Sequence, residues 1–183
     1  MMIEVLARTL LYYDVEIAVK ALKDKTVRLP GGLEVRLRQG TKAKLPLFLA
    51  EELVESEVAE YVEEDLVKKA ELKKQLWAEG KNEKLERLDD SFYLKFRLYV
   101  RALERRKNAG DRNAEKELEE LKTLFTDLVR SRMRKIAILA VLSPEVSRDH
   151  IANMTREEQI LYVSLCNLLN EWTASMRKFV MGE

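Results

Sequence analysis

Hydrophobic and polar positions follow two different periods along the chain. In the first fifth they alternate. Val15 to Leu22, "VEIAVKAL", reads apolar-in, polar-out, and "LEVRLR" sets Leu33, Val35 and Leu37 against Glu34, Arg36 and Arg38. Alternation with a period of two is the signature of half-buried strands. Lys23-Asp24-Lys25, Pro30-Gly31-Gly32 and Gln39-Gly40-Thr41 supply turns between them, and a short "KAKL" follows. These stretches predict a small antiparallel sheet of three or four strands. A sheet that small is marginal alone and must pack on something else.

From Pro46 onward the period changes to that of helices. Leu47, Leu49, Ala50, Leu53, Val54 and Val58 form a first stripe, with Pro46 at the first helical position and glutamates mostly off the stripe. A charged helix runs to about Trp77, punctuated by Gly80, Lys81 and Asn82. Asp89, Asp90 or Ser91 caps the next helix, whose apolar residues are Phe92, Phe96, Tyr99 and Leu103. Gly110 stops it, and Asp111 opens a long helix carrying Leu118, Leu121, Leu124, Leu128, Met133, Ile136, Leu139 and Leu142. The last helix opens with the T-x-x-E capping box Thr155 to Glu158 and continues through Leu168 and Trp172. The expected fold is α+β, mainly α. A small β-rich domain, residues 1–45, precedes an α-helical bundle domain, residues 46–183, and Pro46, Leu47, Phe48, Leu49 and Leu53 form the seam between them.

Composition supports this division. Hydrophobic residues make up 46% of the 183, enough for a sizeable core, while three prolines and six glycines favour helix. Charged residues reach 36%, a surface chemistry that fits a thermophile. The net charge is +1, so no global field advertises a polyanionic partner. The balance is nevertheless uneven: residues 1–90 carry 16 basic and 19 acidic side chains, and residues 91–183 carry 17 and 13. With no leader-like start and no apolar run of the roughly 20 residues a membrane span needs, the expectation is a soluble, cytoplasmic protein with no membrane contact.

Catalytic patterns are missing. Pro30-Gly31-Gly32 lacks phosphate-loop spacing and reads as a turn. His150 has no orienting partner beyond adjacent Asp149, and Cys166 sits on an apolar helix, where cysteine behaves as a small hydrophobe. One cysteine and one histidine exclude an internal disulfide and a Cys/His zinc site. The acidic run from Glu51 to Asp65 points in several directions around a helix and reads as a solvated face, or as one that meets a basic partner such as the arginine helix. The expectation is therefore no enzyme, no cofactor and no metal.

Two features remain. Arg130, Arg132, Arg134 and Lys135 cluster in "LVRSRMRKIAILAV", either as a patch for nucleic acid or an acidic partner, or as ion-pair partners of neighbouring helices. The helix from Phe92 is apolar around much of its circumference, which predicts burial on more than one side. Phe92, Phe96, Tyr99 and Leu103, with Leu128, Met133, Ile136 and Leu139 on the long helix, are the expected subunit interface.

Three stretches taken together resemble one family. "KLPLFLAEEL", "LVRSRMRKIAILAV" and "MTREEQILYVSLCNLL" look like the proline-aliphatic block, the arginine-studded long helix and the closing helix of GINS complex subunits. The order of parts resembles the archaeal form with the β domain first, the Psf-two and Psf-three branch. The charged stretch Glu63 to Glu86 is longer than that pattern leads one to expect. The resemblance implies a non-enzymatic, nucleoid-associated replication factor. It implies a 2:2 hetero-tetramer with a sister subunit whose helical domain comes first, linking the MCM helicase to a Cdc45 or RecJ-like partner. The alternative is a helical nucleic-acid-binding protein using the arginine-rich helix, with weak DNA contact.

Overall fold

The computed structural model describes residues 12, 14–28 and 34–182. The expected Pro30-Gly31-Gly32 turn lies outside them. Strand β1 (Glu16–Ala21) is the centre of a three-stranded antiparallel sheet in the order β4-β1-β5, flanked by β4 (Lys42–Pro46) and β5 (Ala59–Tyr61). Strands β2 (Lys25–Arg28) and β3 (Glu34–Leu37) pair separately as a two-stranded ribbon. The alternation read from sequence sets the register: Ile17, Val19 and Ala21 are buried while Glu16 and Lys20 face out. Ile17 stands opposite Leu45, and Val19 opposite both Ala43 and Tyr61.

Strand β5 is the element that periodicity did not predict. Helix α1 (Leu47–Glu55) begins one residue after the expected position, with Pro46 as its cap, and buries Leu47, Leu49, Ala50, Leu53 and Val54. It ends in a reversal: Val58 N–H donates to Leu53 O, and Glu57 takes a left-handed φ of 56°. That turn sends Ala59–Tyr61 back alongside β1, so α1 is enclosed by the sheet's own sequence. Phe48, expected in the seam, points away from it and is 60% exposed.

After a 3-10 turn (Glu63–Asp65) come α2 (Lys69–Lys81), α3 (Phe92–Asn108), α4 (Arg112–Leu142), the single-turn α5 (Arg148–Ile151) and α6 (Arg156–Met181). Local chemistry explains their ends. Asp111 caps α4 by accepting from Asn113 N–H at 2.9 Å and Ala114 N–H at 3.2 Å, after Gly110 reverses the chain with φ 93°. Thr155 and Glu158 form the capping box of α6. Helix α4 is the axis of the bundle, and α2, α3 and α6 each pack on it.

A continuous apolar core runs from β1 through α1 and α3 to Leu128 of α4. A smaller one joins Ile136 and Ala140 of α4 to Met154, Tyr162 and Cys166. The sheet and bundle therefore meet without a polar gap. Arg101 of α3 reaches Glu51 of α1 at 2.6 Å, and Arg105 donates to the carbonyl of Val54 at 3.1 Å.

Candidate assembly interface

The strongest polar feature is buried. Arg132 of α4 is 1% exposed, and all five of its N–H groups are used. Nε and Nη2 donate to the two carboxylate oxygens of Glu158 at 2.6 and 2.7 Å, a bidentate pair. Nη1 donates to Glu79 Oε2 at 2.6 Å and Glu86 O at 2.8 Å, and Nη2 also reaches Asn153 O at 2.9 Å. One turn later Lys135 Nζ spends its three protons on Glu79 Oε1, Glu79 O and Lys84 O, at 2.6, 2.7 and 2.9 Å. Tyr93 of α3 donates to Glu158 Oε1 at 2.6 Å. Two cations and two carboxylates thus tie α2, the 82–86 connection, α3, α4 and the start of α6 into one balanced network. Burial alone would pull the Arg132 guanidinium down, but its bonds to Glu158 and the charge of Glu79 hold it above its ordinary value. Burial first, and then the Glu158 carboxylate, pushes the Tyr93 phenol up.

This network corrects the expected basic patch. Arg132 and Lys135 face inward and cannot touch a phosphate; only Arg130 and Arg134 of the four are exposed. It also gives the charged segment Glu63 to Glu86 a place, since α2 delivers Glu79 to the arginine and buries Leu72. The acidic run pairs elsewhere: Glu60 with Lys20, Glu63 with Lys68, Glu64 with Lys42 and Glu51 with Arg101, none of them on the arginine helix.

The expected subunit interface is corrected in the same way. Phe92, Phe96, Tyr99, Leu103, Leu128 and Ile136 are all buried within their own chain. The buried residues of α3 share one apolar core with β1, α1 and the first half of α4, and Arg101 and Arg105 tie the helix to α1. Leu139 is half-buried in the smaller core, and of the eight only Met133, 49% exposed, presents a large surface. His150 Nδ1 lies 2.8 Å from the Tyr162 hydroxyl, and Cys166 is buried. Among the described residues no group of His, Cys, Asp and Glu is arranged to hold a metal, and no helix is long and apolar enough to cross a membrane.

The apolar surface that does lie open is at the end of the bundle. Helix α6 runs in the same direction as α4: Glu158 meets Arg132 near its start, and Asn170 donates to Pro144 O past the end of α4. From Asn170 to Gly182 every residue is exposed. The last three turns of α6 therefore overhang the bundle, by roughly 16 Å at 1.5 Å per residue. The overhang is not polar. Leu168, Trp172, Met176, Phe179 and Val180 continue the helical stripe, with Trp172 63% and Phe179 84% exposed. Ile138, Val141 and Leu142 on the adjoining end of α4 are exposed as well. A patch this continuous on one end of a molecule marks an interaction surface. The sequence carried a signal for it: the stripe through Leu168 and Trp172 does not stop there but continues through Met176, Phe179 and Val180.

Comparison with known families matches residues 66–177 to the GINS complex protein helical bundle domain, Sld5. The match spans more than half of the chain, from the start of α2 into the overhang of α6. The chain belongs to the GINS family. It is a subunit of that DNA-replication complex, in which this domain has a non-catalytic part. No curated protein matches the chain. The sheet, α1 and β5 precede the matched region, so the order in this GINS subunit is sheet first and bundle second.

Proposed function

We propose that this chain is the archaeal type of GINS subunit with the β domain first, Psf-two/Psf-three-like. In this reading it assembles with a sister subunit of the opposite domain order into a 2:2 hetero-tetramer. That tetramer links the MCM helicase to a Cdc45 or RecJ-like partner at the nucleoid and supports helicase activity. The β domain and the helical domain are separate working parts. Because α1 and β5 pack with the sheet, the boundary belongs near residues 62–66 rather than at residue 45. The observation that carries the assembly reading is the apolar overhang of α6 beside the open end of α4: Trp172, Met176 and Phe179 are the kind of anchors obligate interfaces bury. Helicase support then follows from linkage, since an assembly that binds the active helicase better than the inactive one shifts it toward activity.

Co-expression with a sister subunit, followed by mass measurement of the purified complex, tests this. A stable 2:2 mass is expected, with the chain alone self-associating. Trp172→Glu with Phe179→Glu should abolish the complex while leaving the unfolding midpoint of the chain unchanged, because neither side chain packs within it. A chain that stays monomeric in light scattering and keeps its own mass beside the sister subunit refutes the reading.

A further inference from the structure

A second surface lies on another face of the bundle. Between α3 and α4 runs a groove of about 620 Å³, and a further hollow of about 290 Å³ continues it between α4 and the start of α6. The two adjoin at Tyr93 and Phe125, which makes a channel in two segments. Its floor is apolar: Phe96 and Val100 at one end, Val129 and Met133 at the other. Phe125 is the centre, stacked on Phe96 at 5.0 Å and edge-on to Tyr93 at 5.9 Å. Along α4 the channel extends from Leu118 to Ile136, which at 1.5 Å per residue is roughly 27 Å, the length of an 18-residue helix.

Charge distinguishes the two ends. At the α3 end both lysines are already paired, Lys122 with Glu119 and Lys107 with Glu115. At the other end stands Glu157. One of its oxygens accepts from the Tyr12 hydroxyl, while Oε2 is buried without a hydrogen-bond partner. An unpartnered buried carboxylate oxygen is costly and favours whatever brings it a donor. Glu157 lines this hollow and the terminal torsion of a glutamate is soft, so a donor arriving there can draw the carboxylate round in exchange for its bond to Tyr12.

We propose that this channel docks an amphipathic helix of a protein partner, with apolar side chains on Phe96, Phe125 and Met133 and one Arg or Lys on Glu157. The mode is helix in groove, with anchors one turn apart giving affinity and the cation fixing direction. The site is separate from the α6 overhang and does not depend on the tetramer reading.

The test uses the full chain and two labelled 18-residue helical peptides followed by fluorescence anisotropy. Both carry leucines at i, i+3, i+4 and i+7 spacing; one has a single Arg in its last turn, and the other a Glu in its place. The Arg peptide should bind tighter by about tenfold or more, the scale of one charge-assisted hydrogen bond. Glu157→Gln, which keeps the acceptor for Tyr12, should erase the difference. Met133→Glu should weaken both peptides, and Trp172→Glu should leave the preference intact. Equal binding of the two peptides, or an Arg preference that survives Glu157→Gln, overturns the proposal. So does binding that emerges only when residues 1–11 are deleted, which would make the chain's own first segment the occupant.

Discussion

Replacing Arg132 by Met removes one side chain and leaves five acceptor contacts without their donor. The consequences differ among the partners. Glu79 keeps Lys135 at 2.6 Å and the Glu86 N–H at 3.2 Å. Glu158 keeps the Tyr93 hydroxyl and the Thr155 N–H but loses the guanidinium that held both its oxygens. The carbonyls of Glu86 and Asn153 lose their bonds to the guanidinium. Breaking a buried pair by removing one partner costs about 3–5 kcal/mol, because the remaining charge stays buried. For a chain of this size that is a fall in Tm of roughly 6–20 °C. Urea denaturation followed by far-ultraviolet circular dichroism measures the first number, and calorimetry the second. Arg130→Met, on the exposed side of the same helix, is the control and should change stability by no more than about 0.5 kcal/mol. Combining Arg132→Met with Glu158→Gln removes the stranded charge while keeping an acceptor for the cap, and should recover part of the loss. If Arg132→Met costs under about 1 kcal/mol, or the double variant is as unstable as the two single losses added together, the network does not hold the bundle.

The remaining predictions concern single elements. Thr155→Ala removes the cap oxygen at the start of α6 and should cost about 1 kcal/mol by urea titration. Glu57→Gly relieves a left-handed residue at the end of α1 and should stabilise the chain by about 0.5–1 kcal/mol, checked in the same way. Burial first, then the Glu51 charge, pushes Tyr61 up to about 12. A folded-state value above the unfolded value of about 10 means a contribution complete below pH 10 and lost as pH rises toward 12. Tyr61→Phe should therefore match the parent at pH 7 and lose less stability between pH 10 and 12. Asp111 runs the other way: its bond to Arg106 first, then the cap N–H of Ala114, holds it below the ordinary aspartate value. Its contribution is present above that ordinary value and lost as pH falls through the lowered one, so Asp111→Asn should flatten the acid limb of the stability profile.

What could be read in the sequence was whatever depends on neighbours along the chain. Alternation in "EIAVKA" and the stripes of α3 and α4 needed only period, and the caps at Asp111 and at Thr155 with Glu158 needed only a residue type three places before its partner. The unread parts are those decided by residues far away. Strand β5 is three residues in an acidic stretch, and it is a strand only because the turn at Glu57 delivers Ala59–Tyr61 to the open edge of β1. In "RSRMRK" four cations look alike locally. Arg132 and Lys135 are buried because α2 brings Glu79 from more than fifty residues upstream and α6 brings Glu158, while Arg130 and Arg134 fall on the opposite side of the same turn. The phenylalanines of α3 show the same limit from the apolar side. A helix apolar on two faces must be covered twice, but its sequence does not say whether the second cover is another chain or the sheet that precedes it. Here Phe92, Phe96, Tyr99 and Leu103 share a core with β1 and α1 of their own chain, and the apolar stripe that outruns its neighbours, Leu168 to Val180, stays open.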